Sequence, residues 1–214
     1  MKSESITFSS EGQYLHGVLT FNKTSKKRGV VLLHPHPIYG GDMDNYVVTS
    51  LETLFLEEDF TTLRFNFRGV SSSRGRYSGV NGAVIDTFNA IDYLKSRTGI
   101  DEFGIAGYSF GASVAIRVTS VLIPSFLVSL SASWNLVLED SFQIEQLYEI
   151  SCPTIFFHGL DDKMIPPEDL VRFTKAIDIK SENAIPVEGE GHFYQSKLPY
   201  VISTVQAFIR KISY

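Results

Sequence analysis

Short apolar runs alternate with stretches of helical periodicity along almost the whole chain. The first 22 residues predict an antiparallel hairpin, in which SITFSS and YLHGVLTFN are joined by the turn EGQ. The next apolar run, RGVVLLH, is continuous, which is typical of a buried parallel strand. Further strands are predicted at FTTLRFNF, EFGIAGYS, SFLVSLSAS, PTIFFHG and NAIPVEG. Helices are predicted where apolar residues fall at helical spacing, within residues 47–55, 84–94, 110–122, 166–177 and 201–212.

Strands that alternate with helices in this way predict βαβ units and a mainly parallel sheet. No repeat, linker or low-complexity segment interrupts the series, so we expect one domain over residues 1–214. An apolar content of 43% with 20% charged residues fits a globular α/β protein of this length. The net charge of −5 argues against binding to nucleic acid.

Three features bear on the cellular compartment. Cys152 is the single cysteine, which excludes an internal disulfide. The N-terminal stretch MKSESITFSSEG lacks the apolar segment of a secretory signal, so we expect a cytoplasmic protein. Residues 118–138 carry no charge, but they include Pro124 and seven hydroxyl or amide side chains. A spanning helix needs about 20 mainly apolar residues, so no membrane association is predicted.

The stretch GYSFG, residues 107–111, has the G-x-S-x-G pattern and follows a predicted strand directly before a predicted helix. That context is the one a nucleophile elbow requires. Gly107 and Gly111 would leave room for the sharp turn, which would lift the Ser109 hydroxyl above the end of the sheet. The turn would also direct the first helical N–H groups, beginning with that of Phe110, toward an oxyanion. Ser109 is therefore the candidate nucleophile.

A serine hydroxyl needs a base, and in this arrangement the base follows the serine along the chain. Of the five histidines, only His158 and His192 come after Ser109. His158 ends the strand PTIFFHG, and no carboxylate at a strand end lies between it and the serine. His192 lies in the glycine-containing loop EGEGHF after the last predicted strand. A flexible loop of that kind suits a base, so His192 is the candidate.

An acid is expected in the loop after the strand that precedes NAIPVEG, where it would hold the histidine tautomer. The stretch HGLDDKMIPP offers Asp161 and Asp162 there. Spacing alone does not choose between these two neighbours. Glu139 and Asp140 lie several residues beyond the preceding strand and are weaker alternatives.

At these motifs the chain resembles the α/β-hydrolase superfamily, and the resemblance covers almost its whole length. GYSFG matches the elbow, EGEGHF the histidine loop, and HGLDDKMIP the H-G-x-x-D-x-x-[VI]-P segment, which implies Asp162 as the acid and leaves Asp161 as the fallback. RFNFRGVSSSRG is similar to the D-x-R-G-x-G-x-S stretch, with Asn66 in place of the acid and Val70 and Ser71 in place of the G-x pair. The run LLHPHPIYGGDMDN is similar to that of a compact bacterial branch of predicted serine hydrolases. The resemblance implies an α/β-hydrolase fold with helices on both faces of the sheet.

Many members of the superfamily carry a lid after the sixth strand. Here only residues 134–152 separate two predicted strands, which leaves room for one short helix and no lid domain. We therefore expect an open, shallow site. The candidates to line it are Tyr39, Met43, Tyr108, Trp134, Met164 and Tyr194.

The resemblance also assigns a role to the end of LLHPHPIYGG. Related hydrolases carry an H-G-x or H-G-x-P turn there, in which the residue two after the first histidine gives a backbone N–H to the oxyanion hole. The matching residue is His36, with Pro35 replacing the glycine and Pro37 matching the proline. Proline has no N–H to donate, so the expected oxyanion donors are the backbone amides of His36 and Phe110.

Several functions compete for these residues. A serine hydrolase would cleave a carboxylic ester or thioester of a small-molecule acyl substrate through an acyl-enzyme, without metal or cofactor. A peptidase, amidase or acyltransferase would use the same residues, and a non-catalytic binding protein of this fold would use none of them. The His34-x-His36 pair suggests a metal site, but Ile38 and Tyr39 stand where further ligands would be needed. We therefore predict the serine hydrolase and no metal, while the substrate and the oligomeric state stay open.

Overall fold

The computed structural model describes residues 2–22 and 27–212. Its centre is an eight-stranded sheet in the order β1-β2-β4-β3-β5-β6-β7-β8. The strands are β1 (Lys2–Ser10), β2 (Gln13–Phe21), β3 (Arg28–Leu33), β4 (Thr61–Phe65), β5 (Glu102–Tyr108), β6 (Leu127–Leu130), β7 (Thr154–Gly159) and β8 (Ala184–Val187). The hairpin β1–β2 is antiparallel and β2 joins β4 antiparallel, whereas every pairing from β4 to β8 is parallel.

In the part of the chain that the structure describes, six α-helices cover both faces of this sheet. They are α1 (Tyr46–Glu57), α2 (Gly79–Thr98), α3 (Phe110–Thr119), α4 (Trp134–Val137), α5 (Glu168–Ala176) and α6 (Leu198–Ile212). Apolar side chains of α1 and α6 pack on one face, and those of α2, α3, α4 and α5 pack on the other. The apolar run RGVVLLH contains strand β3, whose side chains are buried on both faces of the sheet. Val30 and Leu32 pack into the hydrophobic cluster on one face, and Val31 and Leu33 into the cluster on the other. The expected α/β-hydrolase fold is confirmed.

The main differences from the sequence prediction are in element length. The stretch SFLVSLSAS pairs only over Leu127–Leu130, because Ser131 turns to a φ of 49° and leaves the sheet. Helix α2 begins at Gly79, earlier than the apolar spacing indicated, and ends before Gly99, which takes a left-handed φ of 67°. Helix α3 ends at Thr119, before the expected Leu122.

The connection between β6 and β7 decides how accessible the carboxyl edge of the sheet is. It contains α4 and a 3-10 helix over Ile144–Glu149, one short helix more than we expected. Neither forms a lid domain, so the carboxyl ends of the parallel strands stay accessible. Among the described residues, none of the helices has both the length and the apolar character that crossing a bilayer would take.

Candidate active site

Three side chains that are far apart in the sequence meet at the carboxyl edge of the sheet. Ser109 follows β5, Asp162 follows β7 and His192 follows β8. The Ser109 Oγ lies 3.0 Å from His192 Nε2, and His192 Nδ1 lies 2.7 Å from Asp162 Oδ2. All three residues are buried, with exposed fractions of 5 to 6%. The structure thus brings together the three residues that were expected to form a triad.

The turn that carries Ser109 has the geometry of a nucleophile elbow. Ser109 takes a φ of 55° and a ψ of −116°, a strained conformation for a residue with a side chain. The turn tolerates no Cβ at its glycines: one at Gly107 would lie 2.3 Å from the Gly111 carbonyl oxygen, and one at Gly111 would lie 2.3 Å from that of Leu33. The Ser109 N–H donates to the Leu130 carbonyl at 2.8 Å, which ties the elbow to the neighbouring strand.

The geometry distinguishes the two neighbouring aspartates. The side chain of Asp162 points inward, where its Oδ1 accepts the N–H groups of Met164 and Ile165 at 2.8 and 2.9 Å. Burial by itself would raise the pKa of Asp162, but hydrogen bonds from His158, His192 and the Ile165 N–H hold that pKa well below its usual range. Asp161 is exposed. The carboxylate that contacts His192 is therefore the one that the resemblance implied.

His158 has a contact with the acid that the sequence reasoning missed. Its Nε2 lies 3.1 Å from the Ile165 carbonyl oxygen and 3.4 Å from Asp162 Oδ2. The ring is buried at the end of β7, beneath the loop that carries Asp162. The four-residue spacing between His158 and Asp162 across a strand end was the signal available in the sequence. It did not reveal the contact, because His158 was weighed only as a possible base.

The loop that carries His192 is held by two further residues that sequence reasoning did not assign. The buried carboxylate of Glu190 accepts the backbone N–H groups of Gly191, Ser196 and Lys197. The Tyr108 hydroxyl donates to the His192 carbonyl oxygen at 2.8 Å. The first contact joins the loop to the start of α6, and the second joins it to the elbow.

The two histidines of the loop after β3 both have structural hydrogen bonds. The Phe67 N–H donates to His34 Nε2 at 3.1 Å, so the ring proton lies on Nδ1, which donates to the Pro35 carbonyl oxygen at 2.7 Å. Burial lowers the pKa of His34 to about 4, in keeping with this neutral ring. His36 Nδ1 accepts the Ile38 N–H, and its Nε2 lies 3.3 Å from the Tyr77 hydroxyl.

These contacts set the direction of the His36 backbone N–H. In a planar trans peptide the C=O and the N–H point in opposite directions. Since the Pro35 carbonyl points toward the His34 ring, the His36 N–H points away from that ring. Within residues 2–22 and 27–212, this N–H donates no hydrogen bond. Phe110 begins α3, so its N–H has no acceptor within the helix either.

A cavity of about 100 Å³ opens beside Ser109. Of the expected lining residues, Tyr39, Tyr108 and Met164 line it. Met43 and Tyr194 are buried in the interior instead, and Trp134 packs on Phe173. The other lining residues are Pro35, His36, Gly40, Gly41, Asn45, His192 and Phe193. In the described part of the chain this lining includes no lysine or arginine.

Comparison with known proteins places this geometry in a family. The model of the dienelactone hydrolase family matches residues 70–192, a range that contains all three triad candidates. An uncharacterized protein of Rickettsia prowazekii is 30% identical over 175 residues, which cover 78% of this chain and 72% of that protein.

Solved structures agree with the fold. An α/β serine hydrolase homologue from Coxiella burnetii superposes with a TM-score of 0.82 at 27% identity, covering 99% of this chain and 98% of that one. An α/β serine hydrolase without a lid, from Xanthomonas campestris, has a TM-score of 0.82 at 22% identity and covers 99% and 95% of the two chains. The chain is a hydrolase of the α/β-hydrolase fold, and it belongs to the dienelactone hydrolase family.

Proposed function

We propose that the protein is a serine hydrolase that cleaves carboxylic esters or thioesters of small molecules through an acyl-enzyme. The observation that carries the proposal is the continuous line of hydrogen bonds from Ser109 Oγ through His192 to Asp162, with distances of 3.0 and 2.7 Å. The ionised Asp162 accepts from Nδ1, so Nε2 is left free to accept the serine proton. The elbow presents that serine at the cavity beside it.

The reaction follows from where the protons lie. Ser109 Oγ attacks the substrate carbonyl carbon while His192 Nε2 takes the hydroxyl proton, which gives a tetrahedral oxyanion. The C–O or C–S bond to the leaving group then breaks, and His192 returns the proton to that group. A water molecule attacks the acyl-enzyme, with His192 again accepting a proton and returning it to Ser109 Oγ. The products are the carboxylic acid and the alcohol or thiol.

The oxyanion would be held by the backbone amides of His36 and Phe110. Both N–H groups lack an acceptor within the described residues, and His36 lines the cavity beside Ser109. The His34 ring fixes the orientation of the Pro35–His36 peptide, so the donor is set before substrate arrives. A single donor of this kind lowers the barrier by about 3 kcal/mol.

The lining of the cavity favours uncharged substrates. A carboxylate or phosphate in the substrate would find no cationic side chain there to pair with. The rim instead offers Tyr39, Met164 and Phe193, each more than half exposed. Apolar and aromatic surface at an open mouth suits a neutral ester or lactone better than a substrate with a charged acyl group, because that charge would be unpaired.

Active-site labelling tests the proposal. A fluorophosphonate probe should modify the folded protein at Ser109, as located by peptide mass spectrometry, and should not modify heat-denatured protein. Ser109→Ala should lower the hydrolysis of p-nitrophenyl butyrate by more than about a thousandfold, with little change in melting temperature. Ser120→Ala, at the other end of α3, is the control and should keep wild-type activity. Full activity of Ser109→Ala would exclude the serine mechanism, and absence of labelling would favour a binding protein.

A substrate panel tests the charge argument separately. Kinetics should be measured on p-nitrophenyl acetate and butyrate, on a neutral lactone, and on mono-p-nitrophenyl adipate, whose acyl group carries a carboxylate. The kcat/KM for the neutral esters should exceed that for the adipate ester by at least about tenfold, since the lining offers the carboxylate no cationic partner. A preference for the adipate ester would refute the substrate class and leave the triad standing.

A further inference from the structure

Tyr108 occupies the variable position of the elbow, between Gly107 and Ser109, where the elbow itself demands no particular side chain. In this chain the side chain is 2% exposed, and its hydroxyl donates to the His192 carbonyl oxygen at 2.8 Å. The direction of that bond is certain, because a carbonyl oxygen can only accept. The residue next to the candidate nucleophile is thus bonded to the backbone of the candidate base.

The phenol is well placed to keep this contact. Its ring lies against the His192 imidazole, with centroids 5.6 Å apart and an angle of 34° between planes. The Tyr108 and Tyr194 rings also make a T-shaped contact, with centroids 5.9 Å apart. Burial raises the pKa of Tyr108 well above its usual range, so the hydroxyl keeps its proton throughout the working pH range.

The hydrogen bonds that Glu190 makes in this loop hold residues on either side of His192, and they do not involve the backbone of His192 itself. Glu190 holds Gly191 on one side and Ser196 and Lys197 on the other. Across the described residues, the bond from Tyr108 is the one hydrogen bond made by the backbone N–H and C=O of His192 itself. Losing it would free His192 to shift while leaving both ends of the loop held.

We propose that Tyr108 is a positioning residue for the reaction, which couples the base to the strand that carries the nucleophile. Because Tyr108 and Ser109 are consecutive on a strained turn, any movement of the elbow carries the His192 backbone with it through the phenol. The separation of Ser109 Oγ from His192 Nε2 is thereby kept at hydrogen-bond distance. This inference rests on the proposed serine hydrolase function.

The test is Tyr108→Phe, which removes one hydroxyl and keeps the ring. The kcat for p-nitrophenyl butyrate should fall about tenfold, because a displaced His192 loses part of the rate enhancement that a well-placed base provides. KM should stay within about twofold of the wild-type value. The rate of fluorophosphonate labelling at Ser109 should fall in parallel, because it depends on the same activated hydroxyl. Replacement of Tyr108 by 4-aminophenylalanine, which keeps a donor at the same place, should restore kcat.

The chain offers a matched control. Tyr194 is also a buried tyrosine of the same aromatic cluster, and its hydroxyl bonds to Ser131 Oγ at 3.0 Å without touching His192. Tyr194→Phe should lower the melting temperature about as much as Tyr108→Phe, since each variant loses one buried hydrogen bond. The kcat of Tyr194→Phe should nevertheless stay within about twofold of wild type.

Three outcomes would overturn the inference: wild-type kcat in Tyr108→Phe, an equal loss of kcat in both variants, or no rescue by 4-aminophenylalanine. If Tyr108→Phe does not fold, the comparison of 4-aminophenylalanine with 4-fluorophenylalanine at position 108 decides, and equal kcat in those two proteins would sink the idea. Labelling of Ser109 in wild-type protein separates a failure of this inference from a failure of the proposed function.

Discussion

Asp161 and Asp162 are consecutive carboxylates whose surroundings differ sharply, so their replacement by asparagine tests the proposed triad. Asp162 is buried against His192, whereas Asp161 is exposed. Asp162→Asn changes almost no volume, and the Oδ1 position can still accept the two N–H groups of Met164 and Ile165. The change therefore acts on the Oδ2 position, 2.7 Å from His192 Nδ1.

The size of the effect follows from the tautomer of the base. An asparagine NH₂ at the Oδ2 position donates, so His192 would have to present Nδ1 as an acceptor and carry its proton on Nε2. That nitrogen could no longer accept the proton of Ser109, which lies 3.0 Å away. The charge that stabilises the imidazolium is lost as well. Together these changes should lower kcat by about 10³- to 10⁴-fold.

Asp161→Asn is the matched control and should keep kcat within about twofold, because an exposed carboxylate outside the hydrogen-bond line is screened by water. The assay is steady-state hydrolysis of p-nitrophenyl butyrate, with circular dichroism to show that each variant is folded. The reasoning would be refuted if the two variants lost the same activity, or if Asp161→Asn lost more than Asp162→Asn.

Three further predictions concern the parts that support the site. Burial lowers the pKa of His34 from 6.5 to about 4. As the pH falls, His34 is therefore protonated in the unfolded chain before it is protonated in the folded protein. The free energy of unfolding from urea titration should therefore fall by about 3 kcal/mol between pH 6.5 and pH 4, and a constant value would contradict the buried neutral ring. Gly111→Ala would place a methyl group 2.3 Å from the Leu33 carbonyl oxygen, which should cost more than about 2 kcal/mol in thermal unfolding; an unchanged melting temperature would disprove the packing of the elbow. Glu190→Gln loses the charge that holds three N–H groups, so its melting temperature and kcat should both fall, whereas the exposed Glu188→Gln should match wild type in both measurements.

The alternation of apolar runs and helical spacing was enough to predict the mainly parallel sheet. A parallel strand such as β3 packs on both faces, so it must be apolar along its whole length, and that requirement is visible in the sequence itself. Strand ends were less predictable. SFLVSLSAS is apolar or small throughout, yet its pairing stops at Leu130, because the backbone leaves the sheet at Ser131.

For the site, local pattern was informative wherever the chemistry is local. The elbow is a short turn whose sterics depend on Gly107 and Gly111, so its residue types predict its geometry. The residues that line the cavity could not be predicted from local sequence pattern. Met43 and Tyr194 are apolar or aromatic residues near the motifs, as Tyr39 is, but they turn into the interior, and only packing decides that direction.

The sequence by itself determined the order of strands and helices along the chain and the elbow around Ser109. It also limited the candidates for the base and the acid to a few histidines and carboxylates. Spacing left Asp161 and Asp162 equivalent, and the resemblance favoured Asp162; the tertiary structure shows that Asp162 is the one that faces His192. Only the tertiary structure decided that Tyr108 bonds to a backbone oxygen 84 positions along the chain. The physical reason is that periodicity records which side of an element is buried. Contacts between the ends of different strands depend instead on strand order, on register and on the turn taken by each loop, none of which is written in the spacing of neighbouring residues.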